Sequence, residues 1–382
     1  MLVACTAGSD DLADEPSADE PADSSEADDQ PDSGQPDSDG SSSPSDGTPQ
    51  QDRPDAPPLP GLLDSSNDKI LNDDSVRTGT LENGLRYYIR ENDNPGGKAD
   101  LRLAIKAGSV DEFGPSTGVA HFVEHMLFNG TEKFPENEMI DVLRSFGAAF
   151  GADVNAYTTF DETVYLLTVP SEQQSLQAGL NVLEQWLSHA TFDATQVAAE
   201  RGVVLDEWRI RTQSRDGRLF DVVEQAYLAG TPYEGRSPIG TDESISSVTD
   251  AELRQYYNTW YRPDNAAITV VGDIDVDDIE ADIERLFGPA VSRADEDRSS
   301  QAVQFGAMTE PSFGLHADPD QRTVDVEIGL PLSVVEGNGT AAWRAQMIDL
   351  IVYDALVRRL DQDLADGTAP FDVAGPCLLY TS

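Results

Sequence analysis

Residues 121–131 read HFVEHMLFNGT. Two of the chain's four histidines fall in this stretch, four apart, with Glu124 directly before the second. On a helix, residues four apart share a face, so His121 and His125 can present two imidazoles to one ion. Zinc takes nitrogen and carboxylate ligands in a tetrahedral array, and its catalytic sites keep one position for water. Glu124 lies on nearly the same face and is placed to take a proton from zinc-bound water without itself ligating. The order H-x-x-E-H inverts the thermolysin-like H-E-x-x-H. The plain alternative is a pair of packed histidines on a helix. The metal reading asks for a third ligand. AAERGVVLDEWR at 198–209 offers Glu200 and Glu207, which two helical turns put on one side.

Outward from the motif, the apolar spacing predicts a mixed set of strands and helices. TGTLENGLRYYIREN at 78–92 reads as a hairpin turning at Glu82-Asn83-Gly84. Alternation through Leu101, Leu103 and Ile105 predicts a strand. The motif helix lies within 114–130, with Ser116 or Thr117 as its cap and Asn129-Gly130 as its end. A second helix is expected over 135–146, with Pro135 in its first turn. Strands follow around 150–158 and 163–169. Helices follow over 171–190 and over 193–230, the latter broken near 214–217. A helix at 250–261, a strand at 266–273 and a helix at 275–288 complete this part. Elements come in groups and not in strict alternation. The fold class expected is therefore α+β, an antiparallel sheet with helices packed on one face. Residues 289–304 form a polar linker. A strand at 323–332 and a helix at 341–364 open a second, similar unit that breaks off within an expected strand. Three parts result: an acidic segment at 1–60, a metal-bearing domain at 70–290, and a truncated second domain at 305–382.

Four stretches carry a resemblance. HFVEHMLFNGT, NAYTTFDETVY (155–165), ERGVVLDEWR (200–209) and SPIGTDESISSVTDAELRQYYNTWYRPDNAAITVVGD (237–273) occur in the order found in the pitrilysin family of zinc metallopeptidases. That family includes insulin-degrading enzyme and the mitochondrial processing peptidase. The chain resembles it closely over roughly 76–290 and weakly over 305–375. The resemblance implies a processing-peptidase-like α/β sandwich holding one zinc per chain. It implies His121, His125 and Glu207 as the metal ligands and Glu124 as the general base. Glu200 matches a carboxylate that orients the site; the alternative is a solvated helical acid. In the family an edge strand near the zinc takes the substrate as an extra strand. Asn155 and Ala156 match the positions that meet the peptide; the alternative is an ordinary edge strand. The implied function is a metalloendopeptidase acting on peptides or small unfolded proteins. Family enzymes close a chamber with a second half that brings an Arg/Tyr pair, and no residue here matches that pair. The missing half would come from further chain or from a partner subunit. A non-catalytic or partner-dependent peptide-binding subunit of a two-chain peptidase is therefore the alternative.

Charge narrows the partners. The chain has 382 residues with 71 acids against 25 bases, a net charge of −46. The first 60 residues hold many of the acids and a single base, Arg53. Such a surface disfavours nucleic acid and anionic membrane, both polyanions. Cys5 and Cys377 form no C-x-x-C pattern, so neither a zinc ribbon nor a disulfide framework is indicated. Leu2-Val3-Ala4-Cys5 resembles the lipobox of bacterial lipoproteins, whose cysteine takes a lipid anchor. Only four residues precede Cys5, whereas a signal peptide has an apolar stretch of about 7–15. A signal lying upstream and a chance match both stay open. Residues 6–60 are too poor in apolar side chains to offset chain entropy and predict a disordered acidic tether. The expected location is the bacterial cell envelope, periplasmic or lipid-anchored.

Overall fold

Alternating burial, clearest over Lys98–Ile105 and Ala266–Gly272, marks one six-stranded sheet. In the computed structural model its strands are β1 (Arg77–Thr80), β2 (Arg86–Glu91), β3 (Lys98–Ile105), β4 (Val154–Thr158), β5 (Thr163–Pro170) and β6 (Ala266–Gly272). They lie in the order β1-β2-β6-β3-β5-β4. The structure describes residues 73–293 except 137, together with 315–322, 324, 326 and 339–374. The acidic segment 1–60, Cys5 and nearly all of the strand expected at 323–332 lie outside the described residues. The described residues belong to two compact units, one within Ile70–Val334 and the other within Val335–Pro376.

The sheet is antiparallel, as expected, except for one parallel pair. β6 runs parallel to β2 and antiparallel to β3. The reason is geometric. β2 and β3 run in opposite directions, and a distant strand inserted between them must be parallel to one of the two. The expected hairpin does form: β1 and β2 pair across Gly84, whose φ of 93° suits the turn.

One face of the sheet carries the core. In β3, Ala99, Leu101, Leu103 and Ile105 are buried, while Lys98, Asp100 and Arg102 are exposed. The helices are α1 (Val119–Phe128), α2 (Glu138–Ser145), α3 (Gln173–Ser188), α4 (Ala194–Gln213), α5 (Arg215–Leu228), α6 (Asp242–Ser247), α7 (Asp250–Trp260) and α8 (Val276–Phe287). α1, α3 and α8 pack on the buried face, as the sequence predicts. Gly179 lets α3 approach closely, because a Cβ there would sit 3.0 Å from Leu101 Cδ2. The predicted break in the 193–230 stretch is at Ser214, whose Oγ accepts from Gly217 N at 3.0 Å and starts α5. α2 starts later than expected, at Glu138, because Glu136 takes a left-handed φ of 52°, which a right-handed helix cannot include.

The second unit contributes α9 (Thr340–Ala365), which exposes Trp343, Ile348, Ile351 and Val352. No helix among the described residues is long and apolar enough to cross a membrane.

Trp186 ties α3 to the end of α1. Its Nε1 donates to Leu127 O at 2.9 Å, and its ring lies 5.2 Å from Phe128 and 5.0 Å from Tyr165. Truncating a buried tryptophan costs about 3–5 kcal/mol. Trp186→Ala is therefore expected to lower the urea unfolding midpoint sharply; a midpoint unchanged from the parent would contradict this packing.

Candidate metal centre and the free sheet edge

The motif helix begins in an unusual way. Neither Ser116 nor Thr117 caps it. Ser116 Oγ donates to Glu252 Oε1 at 3.0 Å, and Thr117 N donates to Ser244 Oγ at 3.2 Å. The residue before α1 is Gly118 at φ 81°, and a Cβ there would lie 3.0 Å from Gly240 Cα. The chain is turned to clear the 237–240 loop, which moves the two hydroxyls away from the helix end. Glu112 supplies the acceptor in their place: its Oε1 takes the Ala120 N–H at 2.9 Å. A carboxyl suits a helix N-terminus. Burial pushes Glu112 up to about 8, against the pull of the helix amides and Arg236.

α1 so placed presents His121, Glu124 and His125, and α4 lays Glu200 and Glu207 across it. Ligand atoms of His121, His125 and Glu207 all lie within 4.8 Å of one another. His125 Nε2 is 3.1 Å from Glu207 Oε2, and His121 Nε2 is 3.7 Å from Glu207 Oε1. A tetrahedral ion with bonds of about 2.0–2.1 Å holds its donors roughly 3.4 Å apart. Spacing and donor chemistry therefore fit zinc. Charge fits as well. Burial, with His125 beside it, pushes His121 down to about 3, leaving a neutral imidazole. Burial would raise Glu207, but the His125 hydrogen bond and the neighbouring His121 and Arg211 hold it at about 2. Burial would likewise lower His125, yet Glu200 and Glu207 on its two nitrogens raise it to about 9. Two carboxylates converging on one imidazole make a site that draws a cation.

Glu200 does more than face solvent. Its Oε1 lies 2.8 Å from His125 Nδ1, and its Oε2 accepts from Asn129 Nδ2 at 2.5 Å. This fixes the His125 ring with Nε2 toward Glu207. Asn129 was not among the sequence candidates, although carrying the spacing 121, 125 one step further reaches it. Arg211, one turn past Glu207, sits 2.6 Å from Glu207 Oε1 and was also missed. His189 sits at the end of α3 and pairs with Glu132 at 2.9 Å and Glu184 at 3.1 Å.

Glu124 is buried beside the ligand cluster and outside it. Its Oε2 accepts from Thr158 Oγ1 at 2.5 Å. Burial pushes Glu124 up to about 7, against the Thr158 hydrogen bond and the charge of His125.

β4 is an edge strand, at the opposite end of the sheet from β1. Thr159 N donates to Glu162 O and Thr168 N donates to Asp153 O, which sets the hydrogen-bonded pairs with β5. Backbone groups alternate in direction along an antiparallel strand. Asn155 and Tyr157 therefore face β5, while Val154, Ala156 and Thr158 face outward. Val154 is already satisfied by Ala149 O and Gly151 N. Among the described residues, the open stretch is Ala156 and Thr158. Of the two predicted contact residues, Ala156 offers its backbone and Asn155 does not. Asn155 Oδ1 instead accepts from Ala156 N at 2.9 Å, and its Nδ2 donates to Gly151 O at 3.3 Å.

Two imidazoles and a carboxylate thus gather beside an open sheet edge. The chain belongs to the insulinase family, peptidase family M16: that family's profile matches residues 87–238, and the profile of the M16 inactive domain matches 247–336. The chain is similar to the probable zinc protease PqqL of Escherichia coli K12, at 36% identity over 311 residues, covering 81% of this chain and 33% of that protein. The protein of the same name in Haemophilus influenzae is 33% identical over 305 residues, 78% of this chain and 32% of that one. The crystal structure of the periplasmic protease PqqL from E. coli superposes with a TM-score of 0.68 at 31% identity, over 78% of this chain and 33% of that one. The chain thus spans about a third of the length of these relatives. Kinship to zinc proteases implies zinc as the metal.

Glu112 gives a pH prediction. An unfolded glutamate loses its proton near 4.5, whereas the folded one keeps it to about 8. Between those values the unfolded state binds fewer protons, so stability falls as pH rises. Glu112→Gln keeps an acceptor for Ala120 and has no proton to lose. Its urea midpoint is expected to exceed the parent's at pH 8 and not at pH 5. Parallel pH profiles for parent and variant would contradict the raised value.

Proposed function

We propose that this chain is the metal-bearing part of a zinc metalloendopeptidase that hydrolyses peptides or small unfolded proteins. The convergence of His121, His125 and Glu207 within 4.8 Å, with Glu124 buried beside them, supports this reading. One zinc per chain would be held by His121, His125 and Glu207. When bound, such an ion supplies a water of lowered pKa and polarises the scissile carbonyl. Glu124 takes the proton from the attacking water and returns it to the leaving amine. Its value near 7 suits both directions of transfer. Glu200 keeps His125 in register for its role. The substrate joins β4 as an added strand, bonding to the outward groups of Ala156 and Thr158, and the Asn155 amide yields its hold on Ala156 N. Recognition through backbone bonds demands little of the substrate's sequence.

The reading extends to organisation. Residues 305–382 belong to a second, similar unit, and the exposed apolar residues of α9 are surface that such a unit would bury. The rest of the chamber comes from further chain or from a partner subunit. The E. coli relative is described as periplasmic, and a cell-envelope location is proposed here on that kinship, with a lipid on Cys5 as its anchoring form. A peptide-binding subunit that needs a partner to cleave is the second reading.

Two measurements test the proposal. Elemental analysis is expected to find about one zinc per chain, and Glu207→Gln to lose it. Glu124→Gln is expected to keep the zinc and to lose about 10²–10⁴-fold in kcat. Cleavage by Glu124→Gln at the parent's rate would refute the assigned base. A parent that binds zinc and peptide without cleaving would favour the partner-dependent reading.

A further inference from the structure

One residue touches both the open edge and the buried acid. The register of β4 turns the backbone N–H and C=O of Thr158 outward, where β4 has no other strand beside it among the described residues. The side chain of the same residue reaches α1 and donates its hydroxyl to Glu124 Oε2 at 2.5 Å. Glu124 Oε1 has no hydrogen-bond partner among the described residues, so the two carboxylate oxygens are distinguished: one is held and one is left for exchange. The opposite residue on β5, Thr163, does not compete, since its hydroxyl donates to Ala107 O at 3.0 Å. The chain just beyond Thr158 is fixed as well. Thr159 O accepts from Ser109 N at 3.1 Å, and Phe160 O from Val110 N at 3.0 Å. A β-branched side chain has few χ1 choices, so the direction of the Thr158 hydroxyl follows its backbone. Anything that ties down the Thr158 backbone therefore also settles the hydroxyl, and through it the Glu124 carboxylate.

We infer that Thr158 is a positioning residue that links the addition of a peptide strand at β4 to the placement of Glu124. The inference rests on the proposed roles of β4 as docking strand and Glu124 as base. It adds that the base is held in place most firmly when a peptide is in place.

The test needs no turnover for its main readout. Affinity for a labelled, unstructured peptide is measured by stopped-flow anisotropy, before any cleavage, in the parent, Thr158→Val, Glu124→Ala and the double variant. Zinc content is measured on each. The effect of Glu124→Ala on Kd is expected to differ by about threefold or more between the Thr158 and Thr158→Val backgrounds. Zinc content is expected to be the same in parent and Thr158→Val. In steady-state assays Thr158→Val is expected to lose roughly tenfold or more in kcat with KM held within about twofold, and Thr158→Ser to recover part of the loss. A merely structural role would lower zinc content or raise KM instead. Additive effects on Kd overturn the linkage. So does a parent that binds no peptide, and its zinc content then decides separately whether the metal reading stands.

Discussion

The candidate site depends on α1 and α4 lying close enough for His125 to meet a carboxylate at each ring nitrogen. Hydrophobic burial alone does not put α4 there. Of its residues only Val197 and Val204 are buried. Polar contacts do much of the placing. Arg201 donates from Nε and Nη2 to the carbonyls of Ile245 and Val248, at 3.2 and 2.7 Å, and so ties α4 to the end of α6. Glu200 and Glu207 tie it to α1 through His125. Partly buried charges of this kind are costly to leave single. The same contacts that hold the helix therefore also specify the ligand geometry, and loosening one loosens the other.

The surroundings then sort chemically similar groups into different states. Glu207 and Glu124 are both glutamates near the same two imidazoles. Glu207 has a hydrogen bond from His125 and an arginine one turn away, and stays low at about 2. Glu124 is more deeply enclosed on α1, with a threonine hydroxyl and no arginine in contact, and sits at about 7. Two carboxyls pushed apart in this way can divide the tasks of ligand and proton carrier. The paired histidines are divided by the same means: His121 is desolvated to about 3, and His125 is raised by its acids.

What was legible in the sequence follows from how local each signal is. The α+β class, the hairpin at Gly84 and the break at Ser214 are written in short-range periodicity and turn residues. The helix of the candidate metal site is legible for the same reason, since 121, 124 and 125 lie within little more than one turn. Glu200 and Glu207 share α4 at two-turn spacing. The parallel β2–β6 pair was not legible, because it depends on a strand that returns more than 170 residues later. The cap of α1 differs from the local expectation because Ser116 is drawn off by Glu252 and Thr117 by Ser244, both distant in sequence. Thr158 and Glu112 were invisible for the same reason. Their partners are fixed by packing between elements, which no window along the chain contains.

The brevity of the open edge has a consequence of its own. Unpaired strand edges invite one copy of a protein to stack on another. Here the turn at 149–151 consumes the outward groups of Val154, the chain is pinned to Ser109 after Thr158, and Asn155 folds its own amide over Ala156 N. What is left is a two-residue window. It is too narrow to seed a growing cross-strand assembly between identical molecules, so an acidic protein can leave this short edge unpaired at high local concentration without polymerising through it.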